Sequence, residues 1–268
     1  MSSSPPCGST RRVKARAFIA DLHLTAQRPQ AIELFRDFLA QAQGLLDQLY
    51  ILGDLFEYWV GDDGADEAEF IPVVAALRTA TNQGLRISVL HGNRDFLLGA
   101  HFVERTGCRL LDDPHELTLF GTPTLISHGD ALCTDDHAYQ DLRRQFRDPR
   151  WQQQILTRPL ADRIAMARAL RAESGRATQA LDATVLDVNT EAASALLERH
   201  GVRRLIHGHT HRPGEYPVPT ATGSGVRIVV GDWYEGSSVL VVGPARHALV
   251  AVADFPGAVA HVMRGQDE

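Results

Sequence analysis

Short apolar runs recur along the chain, and nearly every one is followed at its C-terminal end by an acid, an amide or a histidine. Those at 15–20, 48–52, 85–90, 124–127, 203–207, 227–230, 237–242 and 249–253 predict strands. Residues 28–43 set Ile32, Phe35, Leu39 and Ala42 at helical spacing, and residues 68–81 do so with Phe70, Val73, Val74 and Leu77, so each segment presents one apolar face. The last three strands follow one another across short turns. An alternating β/α first half with a strand-rich end predicts two packed sheets flanked by helices.

Segment 138–184 breaks this rhythm with a helical pattern throughout. It carries nine arginines against five acids, a local balance of +4 in a chain whose total is −6, so the remainder stands at −10. A lone run of this kind reads first as solvated, salt-bridged helices. Its place directly after His128-Gly129-Asp130, between two strands, opens the alternative of a cap that meets an anionic substrate or membrane surface. The expected organisation is one domain over 1–268, with a helical insertion at about 138–184 and a flexible tail at 1–14.

Composition narrows the classes. With 44% hydrophobic and 22% charged residues, 22 Gly and 13 Pro, the 268 residues exclude collagen, coiled coil and wholesale disorder. Net negative charge argues against general binding to nucleic-acid backbones, so an anionic ligand must be met locally. Cys7, Cys108 and Cys133 are odd in number and lack a Cys-x-x-Cys pair, which supports neither a disulfide framework nor a thiolate metal site and fits a reducing cytosol. The apolar stretch 17–20 is too short for a signal-peptide core, and no window approaches the ~18 apolar residues of a membrane span. Membrane contact is expected to be peripheral.

The strand-end residues carry the chemistry: Asp21-Leu22-His23, Gly53-Asp54, Gly92-Asn93-Arg94-Asp95, His128-Gly129-Asp130 and His207-Gly208-His209-Thr210-His211. Alone, each reads as a loop or cap. Five in one order, each after an apolar run, predict a two-metal centre, in which divalent ions about 3.5–4 Å apart clamp a phosphoryl group. Asp54 is the expected bridge, with Asp21, His23 and His211 completing one position and Asn93, His128 and His209 the other. Carboxylate, amide and imidazole donors suit Mn²⁺, Fe²⁺, Co²⁺ or Zn²⁺ alike. His207, inside the apolar run, reads as a core or supporting residue.

These motifs resemble the calcineurin-like metallophosphoesterase superfamily, which implies a four-layer αββα sandwich. One position departs: Arg94 stands where the superfamily has a histidine that serves as proton donor to an alkoxide. Arginine does not give up its proton, whereas a phosphate leaving group with a second pKa near 6 needs no such help. The chemistry therefore points to a pyrophosphate bond, with Arg94 binding a substrate phosphate.

A narrower resemblance agrees. Leu55-Phe56-Glu57-Tyr58-Trp59-Val60-Gly61-Asp62-Asp63, Gly92 to Leu97, His128-Gly129-Asp130 with Asp135, Asp136 and Tyr139, Arg171-Ala172-Glu173-Ser174, Leu186-Asp187-Val188-Asn189 and His207 to Pro213 are similar to the UDP-2,3-diacylglucosamine hydrolase family of lipid A biosynthesis. The resemblance implies hydrolysis of a UDP-sugar pyrophosphate at the α-phosphorus to UMP and 2,3-diacylglucosamine 1-phosphate. It also implies manganese as the metal and peripheral binding to the cytoplasmic face of the inner membrane, with no nucleic acid and no obligate protein partner. Asp54, Asn93 and His209 would be catalytic, and Asn93, Arg94, Asp136, Ser174, Thr178 and His209 would contact substrate. Thr178 and Leu181 replace an Asn and a Lys common in the family, and Arg176 lies nearby. Trp151, Ile155, Leu156, Leu160, Ile164, Met166, Leu170 and Leu186 either line an acyl groove or pack the insert onto the body. Tyr58 and Trp59 are open in the same way. The alternatives are a phosphodiesterase or nucleotide pyrophosphatase acting on a soluble substrate, and a metal-free scaffold without catalysis.

Overall fold

In the computed structural model, residues 13–180, 185–234 and 236–264 are described, the side chains of 175–180 excepted. Most of the 1–14 tail, Cys7, Leu181 and the side chains of Arg176 and Thr178 therefore lie outside the described residues. Strands β1 (Ala15–Ile19), β2 (Leu46–Ile51), β3 (Arg86–Leu90) and β4 (Arg109–Leu111) pair in parallel, and β10 (Ser238–Val242) with β11 (His247–Ala251) joins antiparallel beside β1, in the order β11-β10-β1-β2-β3-β4. The second sheet is β5 (His115–Leu119), β6 (Thr122–Ser127), β7 (Arg204–His207), β9 (Gly223–Val229) and β8 (Gly214–Thr220), in that spatial order, with β6, β7 and β9 parallel.

Period-two alternation divides the core into layers. Phe18, Tyr50, Leu52, Leu90 and Leu240 of the first sheet meet Ile126, Ile206, Ile228 and Val230 of the second. The other face of the first sheet, with Ala17, Ile19, Leu49, Val89 and Val241, packs on α1 (Pro29–Ala42), α2 (Ile71–Asn82), α3 (Ala100–Thr106) and α8 (Phe255–Met263) through Phe35, Leu77, Phe102 and Phe255. Leu125, Leu205 and Val218 back the second sheet onto α7 (Thr190–His200) at Ala193 and Leu197. Helix, sheet, sheet, helix is the predicted αββα sandwich. Because both faces of the first sheet are covered, β10 is buried at every residue and reads as a continuous apolar run.

Between β6 and β7 the chain forms α4 (His137–Phe146), α5 (Pro149–Leu156) and α6 (Leu160–Ala180). Asp136 and Asp148 cap α4 and α5, accepting from the backbone N–H groups of Tyr139 and Arg150, and Asn189 does the same for α7.

The structure differs from the sequence reading at three points. The strands β4, β5 and β8 escape the apolar-run criterion because they lie at sheet edges; β4 is only three residues long, alternate residues of β5 and β8 face solvent, and β8 also carries Pro217 and Pro219, tolerated only at an edge. The short α3, like α7 and α8, was not read as a separate element. The turn between β9 and β10 crosses from the second sheet to the first, so the strand-rich end is not one meander.

Candidate metal centre

Both sheets point their parallel strands toward one rim. Asp21 and His23 follow β1, Asp54 follows β2 and Asn93 follows β3, while His128 follows β6, and His209 and His211 follow β7. The first four come from one sheet and the last three from the other, so the cluster exists only where the sheets are packed.

The local backbone is held in an uncommon state to do this. Among the described residues seven non-glycine positions have positive φ, and five of them are Asp21 (56°), His23 (47°), Asp54 (52°), His209 (68°) and His211 (54°). The left-handed region costs an L-residue on the order of 1 kcal/mol or more, so the surroundings must over-determine it. The N–H groups of Asp21 and His23 donate to the carbonyls of Gly53 and Asp54 at 3.2 and 3.0 Å, and Trp233 N–H donates to the Asp21 carbonyl at 3.1 Å. The buried Asp95 carboxylate accepts from Leu55 N–H and Gly92 N–H, both at 2.8 Å, locking the Asp54 and Asn93 loops together. Gly92 has no alternative here, since a Cβ at that position would collide with the Asp54 carboxylate.

The donors converge. Ligand atoms of Asp21, His23 and His211 lie within 4.8 Å of one another, and so do those of Asp21, Asp54 and His128. Asp54 turns one oxygen to each side: Oδ2 is 3.7 Å from His23 Nε2, and Oδ1 is 3.8 Å from His128 Nε2. Asn93 Oδ1 stands 2.9 Å from His128 Nε2 and 3.1 Å from His209 Nδ1. Thus all seven predicted ligands come together, while His207 is buried with Nδ1 against the Gly208 carbonyl at 2.9 Å.

Electrostatics follow from this crowding of acids and imidazoles. Burial pushes the Asp54 carboxyl up to about 7, with Asp95 and Asp21 adding to the rise and His128 opposing it. Burial alone would lower His128, but Asp54, Asp21, Asp130 and Asp113 raise it to about 9. His211 rises to about 10 against its burial, through hydrogen bonds to Asp21 and Asp232. Burial, aided by His128, takes His209 down to about 3. Burial likewise lowers His23 well below the usual imidazole value. The Asp21 carboxyl is lowered in spite of burial, by His211, His128 and His23. His128 faces acceptors at both nitrogens, Leu52 carbonyl at 2.9 Å from Nδ1 and Asn93 from Nε2, which is the geometry of an imidazolium. Asp21 Oδ1 and both nitrogens of His23 are buried without a hydrogen-bond partner. Groups left unpaired at such a cost are fitted by a divalent cation, and oxygen and imidazole donors without thiolate are a set for one.

The expected substrate contacts are distributed around this cluster. Arg94 donates its backbone N–H to Asp54 Oδ1 at 2.8 Å, and its Nε is buried without a partner. Asp136 uses Oδ1 to cap α4 at Tyr139 N–H, 2.9 Å. Ser174 is half-buried on α6. Of the apolar residues of the insert region, Ile155 is buried, Leu156 is 43% exposed, and Trp151, Leu160, Ile164, Met166, Leu170 and Leu186 are half-buried. Trp59 is core, packed among Phe56, Phe70 and Phe102, whereas Tyr58 is half-buried with its hydroxyl on Glu69. Cys133 is buried packing, its thiol pushed up to about 12 by burial.

Residues not singled out for roles complete the surroundings. Asp232 Oδ2 is 3.1 Å from His211 Nδ1, and Glu57 Oε2 is 3.5 Å from His23 Nδ1. Tyr139 donates its hydroxyl to Asp130 Oδ2 at 2.6 Å and stacks on His209 with ring centroids 5.9 Å apart. Gly231-Asp232 after an apolar run has the same form as Gly53-Asp54, a signal that was available for Asp232.

The calcineurin-like phosphoesterase family model matches residues 16–213. A UDP-2,3-diacylglucosamine hydrolase of Xanthomonas campestris pv. campestris is 47% identical over 232 residues, covering 84% of this chain and 94% of that protein. The enzyme of the same name from Stenotrophomonas maltophilia is 46% identical over 232 residues, covering 84% and 93%. That from Pseudomonas paraeruginosa is 45% identical over 216 residues, covering 81% and 90%. With its ligand-bearing loops inside the matched region and its relatives covered almost end to end, the chain belongs to the calcineurin-like phosphoesterases and, among them, to the UDP-2,3-diacylglucosamine hydrolase family.

Proposed function

We propose that the protein hydrolyses the pyrophosphate bond of UDP-2,3-diacylglucosamine, releasing UMP and 2,3-diacylglucosamine 1-phosphate for lipid A synthesis. The observation that carries this reading is the Asp54 carboxylate, with one oxygen turned to His23 and the other to His128, in a chain of this family. Asp21, His23, Asp54 and His211 would hold one divalent ion and Asp54, Asn93, His128 and His209 a second, manganese in the cell. Bound there, such ions supply Lewis-acid stabilisation of the phosphoryl oxygens and an activated water.

The protein's own groups do the rest. The Leu52 carbonyl fixes the His128 ring by accepting from Nδ1, which leaves Nε2 for the centre. Arg94, with its unpartnered Nε, meets substrate phosphate as a permanent cation. No side chain has to protonate the departing sugar phosphate, whose second pKa near 6 makes it a competent leaving group. Asn93, His209, Asp136, Ser174 and Thr178 are the further substrate contacts, and Asp54, Asn93 and His209 the catalytic ones.

We read residues 1–268 as one domain, in which the helices between β6 and β7 form a cap. Its half-buried apolar side chains, Leu160, Ile164 and Leu170 among them, would cover the acyl chains. Among the described residues no helix is long and apolar enough to cross a membrane, and the proposed location is peripheral, at the cytoplasmic face of the inner membrane. Turnover of UDP-2,3-diacylglucosamine, assayed beside bis-p-nitrophenyl phosphate and a soluble UDP-sugar, tests the reading. Preference for the soluble UDP-sugar would replace it with a nucleotide pyrophosphatase, and absence of both turnover and bound metal would replace it with a scaffold.

A further inference from the structure

His23 is the ligand candidate with the fewest direct restraints on its ring, since neither nitrogen has a hydrogen-bond partner. Nε2 faces Asp54, and Nδ1 faces Glu57 Oε2 at 3.5 Å, just outside a formed hydrogen bond. Glu57 is in turn held on two further sides. Its Oε1 accepts from Arg171 Nε of α6, and its Oε2 accepts the Tyr234 hydroxyl at 3.0 Å. Tyr234 lies against the His23 ring with centroids 5.3 Å apart and carries the Arg28 guanidinium 4.0 Å above its own ring. Arg28 anchors this wall by donating to the carbonyls of Leu22 at 3.1 Å and Trp233 at 2.6 Å. One carboxylate therefore joins a ligand ring, a helix of the insertion and the turn between β9 and β10.

We propose that Glu57 is a positioning residue that orients His23 from behind and makes cation affinity at the Asp21–His23–His211 position depend on the seating of α6 through Arg171. The inference rests on the two-metal reading above. A carboxylate behind a ligating imidazole fixes ring orientation and raises ligand basicity, and its loss typically costs 10–100-fold in metal affinity. Linkage makes the effect reciprocal, so a cation at this position also holds α6 in place.

The test is a Mn²⁺ titration of the full chain, wild type against Glu57→Gln and Arg171→Ala, by calorimetry and chelator competition, with hydrogen exchange of α6 read in the metal-free and Mn²⁺-loaded protein. Arg144→Ala, whose partner Asp141 lies on the solvent side of α4, is the control. We expect one of two binding steps to weaken at least tenfold in Glu57→Gln and the same step to weaken by a smaller factor in Arg171→Ala. Exchange in α6 slows on Mn²⁺ addition in wild type and not in Glu57→Gln. Should Glu57→Gln fail to fold by circular dichroism, Arg171→Ala decides alone. Two unchanged binding steps in Arg171→Ala, with α6 exchange indifferent to Mn²⁺ in wild type, overturn the role of Glu57 and leave the proposed function standing. A wild-type protein that binds no Mn²⁺ overturns the proposed function itself.

Discussion

The rim of strand ends and the helices that follow β6 are built on opposite principles. At the rim, Asp21, His23, Asp54 and His128 are nearly or wholly buried, on loops tied to one another through backbone hydrogen bonds and the Asp95 carboxylate. In α4–α6, Ile155 and Arg163 are the only buried side chains among those described. These helices touch the body through charged and polar contacts: Arg143 on Asp130, Arg147 on the Gly92 carbonyl, Arg163 on Asp63 and the Val60 carbonyl, Arg171 on Glu57. Phe146 and Trp151 add an aromatic contact with Phe96 of the Asn93 loop, ring centroids 5.4 and 6.2 Å away, whereas the Arg171–Glu57 pair, its arginine 42% exposed, is worth about 1 kcal/mol or less. The proposed metal chemistry thus sits on loops cross-tied from both sheets, and the helices beside them are seated by fewer buried side chains.

The largest expected effect breaks the rim. Asp54→Ala or His209→Ala lowers turnover on the order of 10³-fold or more, with far-UV circular dichroism unchanged, and wild-type rates at full metal occupancy would exclude a shared centre. Next, Arg94→His reduces kcat/KM for the UDP-lipid by about 10–100-fold while bis-p-nitrophenyl phosphate hydrolysis falls less. A larger loss on the aryl ester would remove Arg94 from substrate binding.

Acidity gives a graded test of the same rim. Neighbouring carboxylates raise His128 to about 9 and His211 to about 10, and burial raises Asp54 to about 7, so each group holds its proton more tightly than an ordinary imidazole or carboxyl. A cation must displace these protons. Its apparent affinity therefore rises with pH from about 6 to 10, and loading releases protons, measurable by calorimetry in buffers of different ionisation enthalpy. Uptake without proton release would show that the centre is already deprotonated.

The smallest effect belongs to the helices. Arg163→Ala removes donors to Val60 and Asp63 and costs about 1–2 kcal/mol of local stability, because Asp63 remains largely in water. KM for the acylated substrate rises several-fold while aryl ester turnover stays level. An equal loss on both substrates would place Arg163 in the support of the metal centre rather than of the acyl site.

Legibility in the sequence follows the same division. The ligand loops were readable because each follows an apolar strand, a local pattern, and the αββα class came from alternation together with family resemblance. What was not readable is what depends on distant partners. Nothing near residue 21 announces a positive φ, which is imposed by Gly53, Trp233 and His209 from elsewhere in the chain. No role for Glu57 is legible in its own segment, because its partners lie at positions 23, 171 and 234. Strand β8 was hidden by its prolines, and the second-sheet membership of β9 by its closeness in sequence to β10.

Pairing of β10 with β1, with Val242 opposite Arg16, sets a timetable for biosynthesis. A ribosome delivers residues in order, and domains complete their folds as the needed segments emerge. Strand β1, which leads into Asp21, lacks its neighbour on one side until residue 242 has been made, and the Asp21 loop lacks its Trp233 hydrogen bond for almost as long. Contacts this distant in sequence form late and slowly. The nascent chain therefore presents its acids and histidines as separate loops, and a cation can be captured with full affinity only after translation has passed the final strands of the first sheet.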